Sequence, residues 1–243
     1  MRYALLADIH ANTSALMAVL HDIERQVEID GLICLGDIVG YGPNPGRCIE
    51  LMRMAQAATV SGNHDLAALG KLNLSYFSPD AAQAARWTVG QLSEADSAYL
   101  GSLPTLLLVG EFTLVHGSPR QPAWEYLISL GSARQNFTHF KTPYCLVGHS
   151  HLPLVFKQSG GDVTFIRPSE HAAIPLEGFR FIINPGSVGQ PRDGDPRASY
   201  ALYDTESRML RFRRVPYDIP AEQSRFFQAG LPLRLASRLE QGI

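Results

Sequence analysis

The sequence predicts an α/β fold with two sheets, and three observations carry the prediction. Its 243 residues are 45% hydrophobic, enough to bury a sizeable core within a single α/β domain, although length alone also accommodates two small ones. Up to Pro104, short apolar runs alternate with stretches of helical periodicity. Beyond Pro104 the texture changes to strands, which implies a second sheet.

Residues 3–7 read as a strand. Residues 14–26 carry Leu16, Val19, Leu20 and Ile23 at helical spacing, and residues 32–35 form the next strand, completing a β-α-β unit. A helix over 45–54 and a strand over 58–60 follow. Ser78 and Pro79 supply an N-cap and an N1 proline for a helix running to about Gln91, and a second helix begins near Ser93. The strands expected after Pro104 cover 105–109, 112–115, 145–147, 154–157, 163–166, 179–183, 199–203 and 209–215. Residues 220–243, with Phe226, Phe227, Leu231, Leu233, Leu235 and Leu239, read as one or two amphipathic helices packed on the core, an oligomer contact being the other use of that face. Neither an internal repeat nor a low-complexity tract interrupts the chain, so the expected organisation is one domain over 1–243.

Composition excludes several function classes. A formal net charge of −2 and a pI near 6.4 give no basic field for a nucleic-acid polymer. Cys34, Cys48 and Cys145 are odd in number and lack C-x-x-C spacing, which argues against a disulfide framework or a thiolate metal site and fits a reducing cytoplasm. Met1 leads almost directly into the first strand, and no apolar run approaches the roughly 18–20 residues of a membrane span, so a soluble, unexported protein is expected.

Chemistry concentrates in five short segments, each at the end of a strand-like stretch. They are Asp8-Ile9-His10, Gly36-Asp37, Gly62-Asn63-His64-Asp65, Val115-His116-Gly117 and Gly148-His149-Ser150-His151. Singly, Asp8-Ile9-His10, Gly36-Asp37 and Gly62-Asn63-His64-Asp65 read more readily as turns, and Gly148-His149-Ser150-His151, the strongest, reads equally well as a pair of solvent-facing loop histidines. On an extended backbone, period two would point Asp8 and His10 the same way, and likewise His149 and His151. Asp8, Asp37 and Asn63 fall just beyond strand C-terminal ends, the edge at which parallel sheets bind ligands. Carboxylate, carboxamide and imidazole groups bind divalent cations, and two cations about 3.5–4 Å apart clamp the attacking and leaving oxygens of a displacement at phosphorus. The ordered set therefore implies a two-metal hydrolase.

That ordered set, spanning Asp8 to His151, resembles the motifs of the calcineurin-like metallophosphoesterase superfamily. The resemblance implies a four-layer αββα sandwich of two mixed β-sheets flanked by helices. It also implies that Asp8, His10, Asp37 and His151 hold one metal while Asp37, Asn63, His116 and His149 hold the other, with Asp37 bridging. A carboxylate shared by two cations offsets their repulsion, and a bridging water would supply the hydroxide nucleophile. By the same resemblance, His64 acts at the leaving-group oxygen as general acid or charge stabiliser.

The second motif departs from those of serine/threonine protein phosphatases and symmetrical diadenosine tetraphosphatases. Gly40 and Tyr41 stand where those branches carry charge, so a substrate phosphate needs another clamp. The segment is more similar to the smaller bacterial and archaeal phosphodiesterase-type branch. Arg120, four residues past His116, and Arg192, at the end of the loop 184–192, are the candidate clamps. Tyr41, Trp124 and Tyr126 either stack a nucleobase or simply pack. The sulfur-free nitrogen and oxygen donor set points to manganese or iron, with zinc, cobalt and nickel as alternatives. The expected activity is hydrolysis of a small, nucleotide-like phosphoester. A protein phosphatase, a diadenosine polyphosphate hydrolase and a non-catalytic scaffold of the same fold are the competing readings. His21, His139 and His171 lie outside the constellation and read as surface or packing residues.

Overall fold

The computed structural model describes residues 1–26, 28–170 and 172–243, so the expectation for His171 lies outside the described residues. Strand β1 (Arg2–Leu6) pairs in parallel with β2 (Gly31–Cys34), and β2 in parallel with β3 (Ala58–Thr59). On its other side β1 meets β11 (Ala198–Asp204) antiparallel, with Tyr3 opposite Tyr203. Strands β12 (Met209–Val215) and β9 (Ala173–Pro175) complete a six-stranded sheet in the order β3-β2-β1-β11-β12-β9. The second six-stranded sheet runs β4 (Leu106–Val109), β5 (Phe112–Val115), β6 (Tyr144–Leu146), β10 (Arg180–Pro185), β7 (Pro153–Ser159), β8 (Asp162–Ile166). Within it β5, β6 and β10 run parallel.

Alternation along the strands builds the layers. Leu5 and Ala7 from the first sheet pack with Phe112, Leu114, Leu146 and Ile183 from the second, forming the core between the sheets. Ala4 and Leu6 point the other way, onto α1 (Thr13–Gln26) and α2 (Pro45–Met54). Helix α1 buries Ala15, Leu16, Val19 and Ile23 there, and each large aliphatic side chain contributes about 1.5–3 kcal/mol of transfer free energy. Val115, Cys145 and Phe156 cover the outer face of the second sheet beneath α6 (Leu130–Asn136). The result is the helix, sheet, sheet, helix layering that the sequence resemblance implies.

Strand grouping differs from the expectation. The sheets do not divide at Pro104, because β9, β11 and β12 return to the first sheet. Ala4, Leu5 and Leu6 are fully buried, so β1 needs partners on both edges, and hydrophobic periodicity carries no information about which strand supplies them. Strand β9, helix α6 and helix α3 (Asn63–Ala68) were not legible as elements; they are short, and α6 buries only Ala133 and Asn136. Helices α4 (Pro79–Val89) and α5 (Glu94–Ser102) begin as their caps predict, Ser78 Oγ accepting from Ala81 N at 3.3 Å. The C-terminal segment forms α7 (Ile219–Gln228) and α8 (Leu233–Gln241). Phe226, Leu231, Leu235 and Leu239 pack on Ala84 of α4, whereas Phe227 and Leu233 face outward. No helix among the described residues is long and apolar enough to cross a membrane.

Candidate metal centre

Strands β1, β2, β3, β5 and β6 open their C-terminal ends onto one edge, and the loops there are zipped together. Asp8 N donates to Gly36 O at 3.1 Å, His10 N to Asp37 O at 2.9 Å and Ala11 N to Ile38 O at 2.9 Å. Asp8, His10, Asp37, His149 and His151 all have φ between 50° and 65°. The extended backbone expected at Asp8/His10 and at His149/His151 is therefore corrected: these residues sit in the left-handed region. Asp and His tolerate that region better than most residues, and the strain, of order 1–3 kcal/mol each, persists because the surrounding contacts fix it. In consequence His149 and His151 diverge toward different groups rather than facing one side together.

The seven predicted ligands converge, each no more than 5% exposed. The donor atoms of Asp8, His10 and His151 lie within 4.8 Å of one another, as do those of Asp37, His116 and His149. A third such group joins His10, Asp37 and His64, so Asp37 is common to two. Its Oδ2 lies 3.7 Å from His10 Nε2 and 3.2 Å from His116 Nε2 without a hydrogen bond to either. Asn63 Oδ1 completes the second group, 3.0 Å from His116 Nε2.

Backbone carbonyls orient each imidazole. Nδ1–H of His10 faces Val39 O at 3.3 Å, that of His116 donates to Leu35 O at 2.8 Å, and that of His151 donates to Gln190 O at 2.6 Å. His149 is turned the other way, its Nε2–H donating to Trp124 O at 3.2 Å. A ring with one N–H committed presents a lone pair on the other nitrogen. Lone pair then faces lone pair between the two neutral rings His10 and His151, whose Nε2 atoms are 3.0 Å apart. His116 Nε2, 3.0 Å from Asn63 Oδ1 and 3.2 Å from His149 Nδ1, donates to these acceptors when that ring is charged and joins them as an acceptor once it loses the proton. Asp8 Oδ2 and Asp37 Oδ2 are buried among them without a partner. Acceptors crowded in this way fit a positive ion, and nitrogen with oxygen and no sulfur is the donor chemistry of first-row divalent metals.

Titration behaviour follows from burial and from this crowding. Burial pushes His64 down to about 4 and His149 to about 3, and holds His10 and His151 well below the usual histidine range. Burial opposes the charged form of His116 too, but the Asp37 charge beside it raises that imidazole to about 9. Burial and the neighbouring Asp37 charge push Asp8 up to about 7. Asp37 itself, despite burial, is held well below the carboxylate range by His116 and His64.

A supporting layer went unassigned in the sequence reading. Asp65 Oδ2 accepts from Asp37 N at 2.8 Å and Gly62 N at 2.9 Å, and Oδ1 accepts from Val39 N at 3.1 Å, tying the loop after β2 to the start of α3. Burial and Asp37 push its carboxyl up to about 7, against three N–H donors that favour the ionised form. Gly62 is required for closeness, since a Cβ there would stand 2.1 Å from Asp37 Oδ1. The loop after β10 buttresses the other side, where Ser187 Oγ donates to Asp8 O at 2.7 Å and Asn184 Nδ2 to Gly148 O at 2.6 Å. Both sides had a signal in the sequence: Asp65 in the Gly62-Asn63-His64-Asp65 segment, and Asn184 and Ser187 in the glycine- and proline-rich loop 184–192.

A cleft of about 360 Å³ opens over the centre, lined by Asp37, Asn63, His64, His149 and His151. Tyr41, Trp124, Tyr126 and Arg192 line it as well, and Tyr126 stacks on His149 at 4.1 Å. Arg192 Nη2 donates to Gln190 Oε1 at 2.8 Å and to Tyr41 OH at 3.4 Å. Arg120 is a correction: it does not line the cleft, because its guanidinium is held by Glu125 and Gln135. Asp193, beside Arg192, pairs with Arg214. Phe77, Tyr76 and Arg238 also border the cleft, and nothing in their sequence context announces it. His21 and His139 are exposed and remote from the constellation, as expected.

Comparison with known proteins places this geometry. An uncharacterised protein of Methanocaldococcus jannaschii is 38% identical over 244 residues, covering 98% of this chain and 97% of the relative. The crystal structure of a metallophosphoesterase from Sphaerobacter thermophilus is similar at 45% identity and a TM-score of 0.91, covering 100% of this chain and 99% of that one. A hypothetical protein from Pyrococcus horikoshii shares the fold at 23% identity and a TM-score of 0.83, covering 100% and 98%. The model of the calcineurin-like phosphoesterase superfamily domain matches residues 1–208, which include every predicted ligand and stop short of α7 and α8. This chain belongs to the calcineurin-like phosphoesterase superfamily.

Proposed function

We propose that the protein is a dinuclear metal-dependent phosphoesterase acting on a small phosphoester. The observation that carries the reading is the cluster of buried acceptors in which His10 Nε2 and His151 Nε2 face one another across 3.0 Å with their N–H groups committed elsewhere, while Asp8 Oδ2 and Asp37 Oδ2 lie unpartnered beside them. Asp8, His10 and His151 would hold one divalent ion, Asn63, His116 and His149 the other, with Asp37 shared. When bound, such a pair supplies Lewis-acid polarisation of a phosphoryl oxygen and lowers the pKa of water. Manganese or iron suits the donor set, and the buried free Cys34, Cys48 and Cys145 suit a reducing cytoplasm.

The chain's own residues supply positioning and proton handling. His64 N donates to Asp37 Oδ1 at 2.8 Å, which fixes the backbone of the histidine next to Asn63. Its ring lies between Tyr41, at 4.4 Å, and Phe77, at 5.1 Å, with Nδ1 buried and unpartnered. An imidazole so held can stabilise negative charge on a departing oxygen or return a proton to it.

Metal-loaded protein is expected to turn over bis-p-nitrophenyl phosphate or p-nitrophenyl phosphate, with Asp37→Asn and His64→Ala each removing most of the rate. Unchanged turnover in both variants contradicts the reading.

A further inference from the structure

Arg238 reaches the cleft from α8, close to the end of the chain and far in sequence from every ligand. Its Nε donates to the Ile243 main-chain oxygen at 2.7 Å, and its two terminal nitrogens have no hydrogen-bond partner among the described residues. Across the same cleft, Arg192 Nε is buried without a partner. Arg120, Arg214 and Arg197 are matched by the carboxylates of Glu125, Asp193 and Asp195, whereas Arg234, beside Arg238, is in no ion pair among the described residues. Neither Arg192 nor Arg238 has an Asp or Glu oxygen within 4.0 Å among the described residues.

Two guanidinium groups sharing a half-buried cleft repel each other unless an anion lies between them. Burial and then the charge of Arg192 lower the Arg238 pKa, as expected for such a pair. The cleft also continues past them. A second hollow of about 440 Å³ shares Ser78 and Arg238 with the first and adds Arg234, one helical turn before Arg238. Asp80 is the acidic side chain lining that hollow, and Tyr41, Arg234 and Asp80 are the other titratable groups whose charge Arg238 feels. The space therefore extends beyond what one phosphoryl group at the metal cluster would fill, and Arg234 and Arg238 line it together with Asp80 and Ile243.

We propose that Arg192 and Arg238 bind a second phosphate group of the substrate, so that the site takes an ester of a diphosphate or longer chain rather than of a lone phosphate. The proposal deepens the phosphoesterase reading and rests on it. Guanidinium forks suit the purpose because each offers paired N–H donors to phosphate oxygens, and Arg238 acts as a specificity-determining residue that α8 contributes.

Isothermal titration of the manganese-loaded full chain with AMP and with α,β-methylene-ADP, a non-hydrolysable analogue of ADP, tests this, since the second ligand adds the second phosphate group. The expected result is at least about ten-fold tighter binding of the diphosphate, a ratio that Arg238→Ala reduces to about three-fold or less and Arg238→Lys partly retains. Equal affinities in the native protein, or an unchanged ratio in the Ala variant, overturn the proposal. If Arg238→Ala fails to fold, Arg238→Gln decides by the same ratio. Turnover of bis-p-nitrophenyl phosphate, measured in parallel, separates the two readings. A preserved affinity ratio without turnover overturns the hydrolytic assignment and supports the anion subsite, whereas turnover without the ratio overturns the subsite alone.

Discussion

His10 Nε2 and His151 Nε2 stand 3.0 Å apart, although the Nδ1–H of each ring already faces a backbone carbonyl, of Val39 and Gln190 respectively. Neither ring has a second proton to place between them when neutral, and burial keeps both neutral. The pair is thus held in a geometry that two uncharged imidazoles would not choose alone. A cation reverses the sign of the interaction, and the orienting carbonyls ensure that lone pairs rather than N–H groups meet it.

Asp37→Asn tests the shared carboxylate. It keeps the shape but removes the charge that the two proposed ion sites would share, so both affinity and rate should fall by about 100-fold or more. Metal content of purified protein, read with the rate, checks this. Two ions retained per chain would show that Asp37 is not shared.

Metal binding should release protons, and the sign follows from the metal-free groups. Ligands bind deprotonated. At pH 7 His116, raised to about 9, carries a proton, and Asp8, raised to about 7, carries part of one. His10, His149 and His151, lowered by burial, and Asp37, held low, have none to lose. Release at pH 7 should therefore lie between about one and two protons, shrinking above pH 9, and affinity should rise from pH 6 to 9. Calorimetry in two buffers of different ionisation heat measures it, and no release at pH 7 contradicts the assignment.

His64→Ala separates the catalytic role from a ligand role, because His64 shares a group with His10 and Asp37. The expected outcome is a loss of about 10²–10⁴ in kcat with two metals still bound. A lost metal instead would make His64 a ligand.

Asp65→Asn should weaken the scaffold. One carboxylate oxygen becomes an amide NH2, a donor facing the backbone N–H donors of Asp37, Gly62 or Val39, at a cost of about 2–4 kcal/mol. Thermal unfolding should then shift down by roughly 5–15 °C, with metal affinity at least about ten-fold weaker. An unshifted midpoint would leave Asp65 without a positioning role.

The site was more legible in the sequence than the sheets. Asp8, Asp37, Asn63, His116, His149 and His151 each follow a short apolar run closely, so an ordered list of donors at strand ends survived translation into three dimensions. Periodicity assumes an extended backbone and could not foresee the left-handed turns that split His149 from His151. It is equally silent on pairing, which is why the return of β11 to β1 was missed. Arg120 failed as a clamp because Glu125, five residues on, neutralises it. Arg238 was invisible because only the packing of α8 on α4 carries it to the cleft.

Anomalous scattering from crystals grown with manganese tests the central claim most directly. The account predicts two ions per chain with Asp37 Oδ2 between them, one also bound by Asp8, His10 and His151 and the other by Asn63, His116 and His149. A single ion, or two that do not share Asp37, would contradict it.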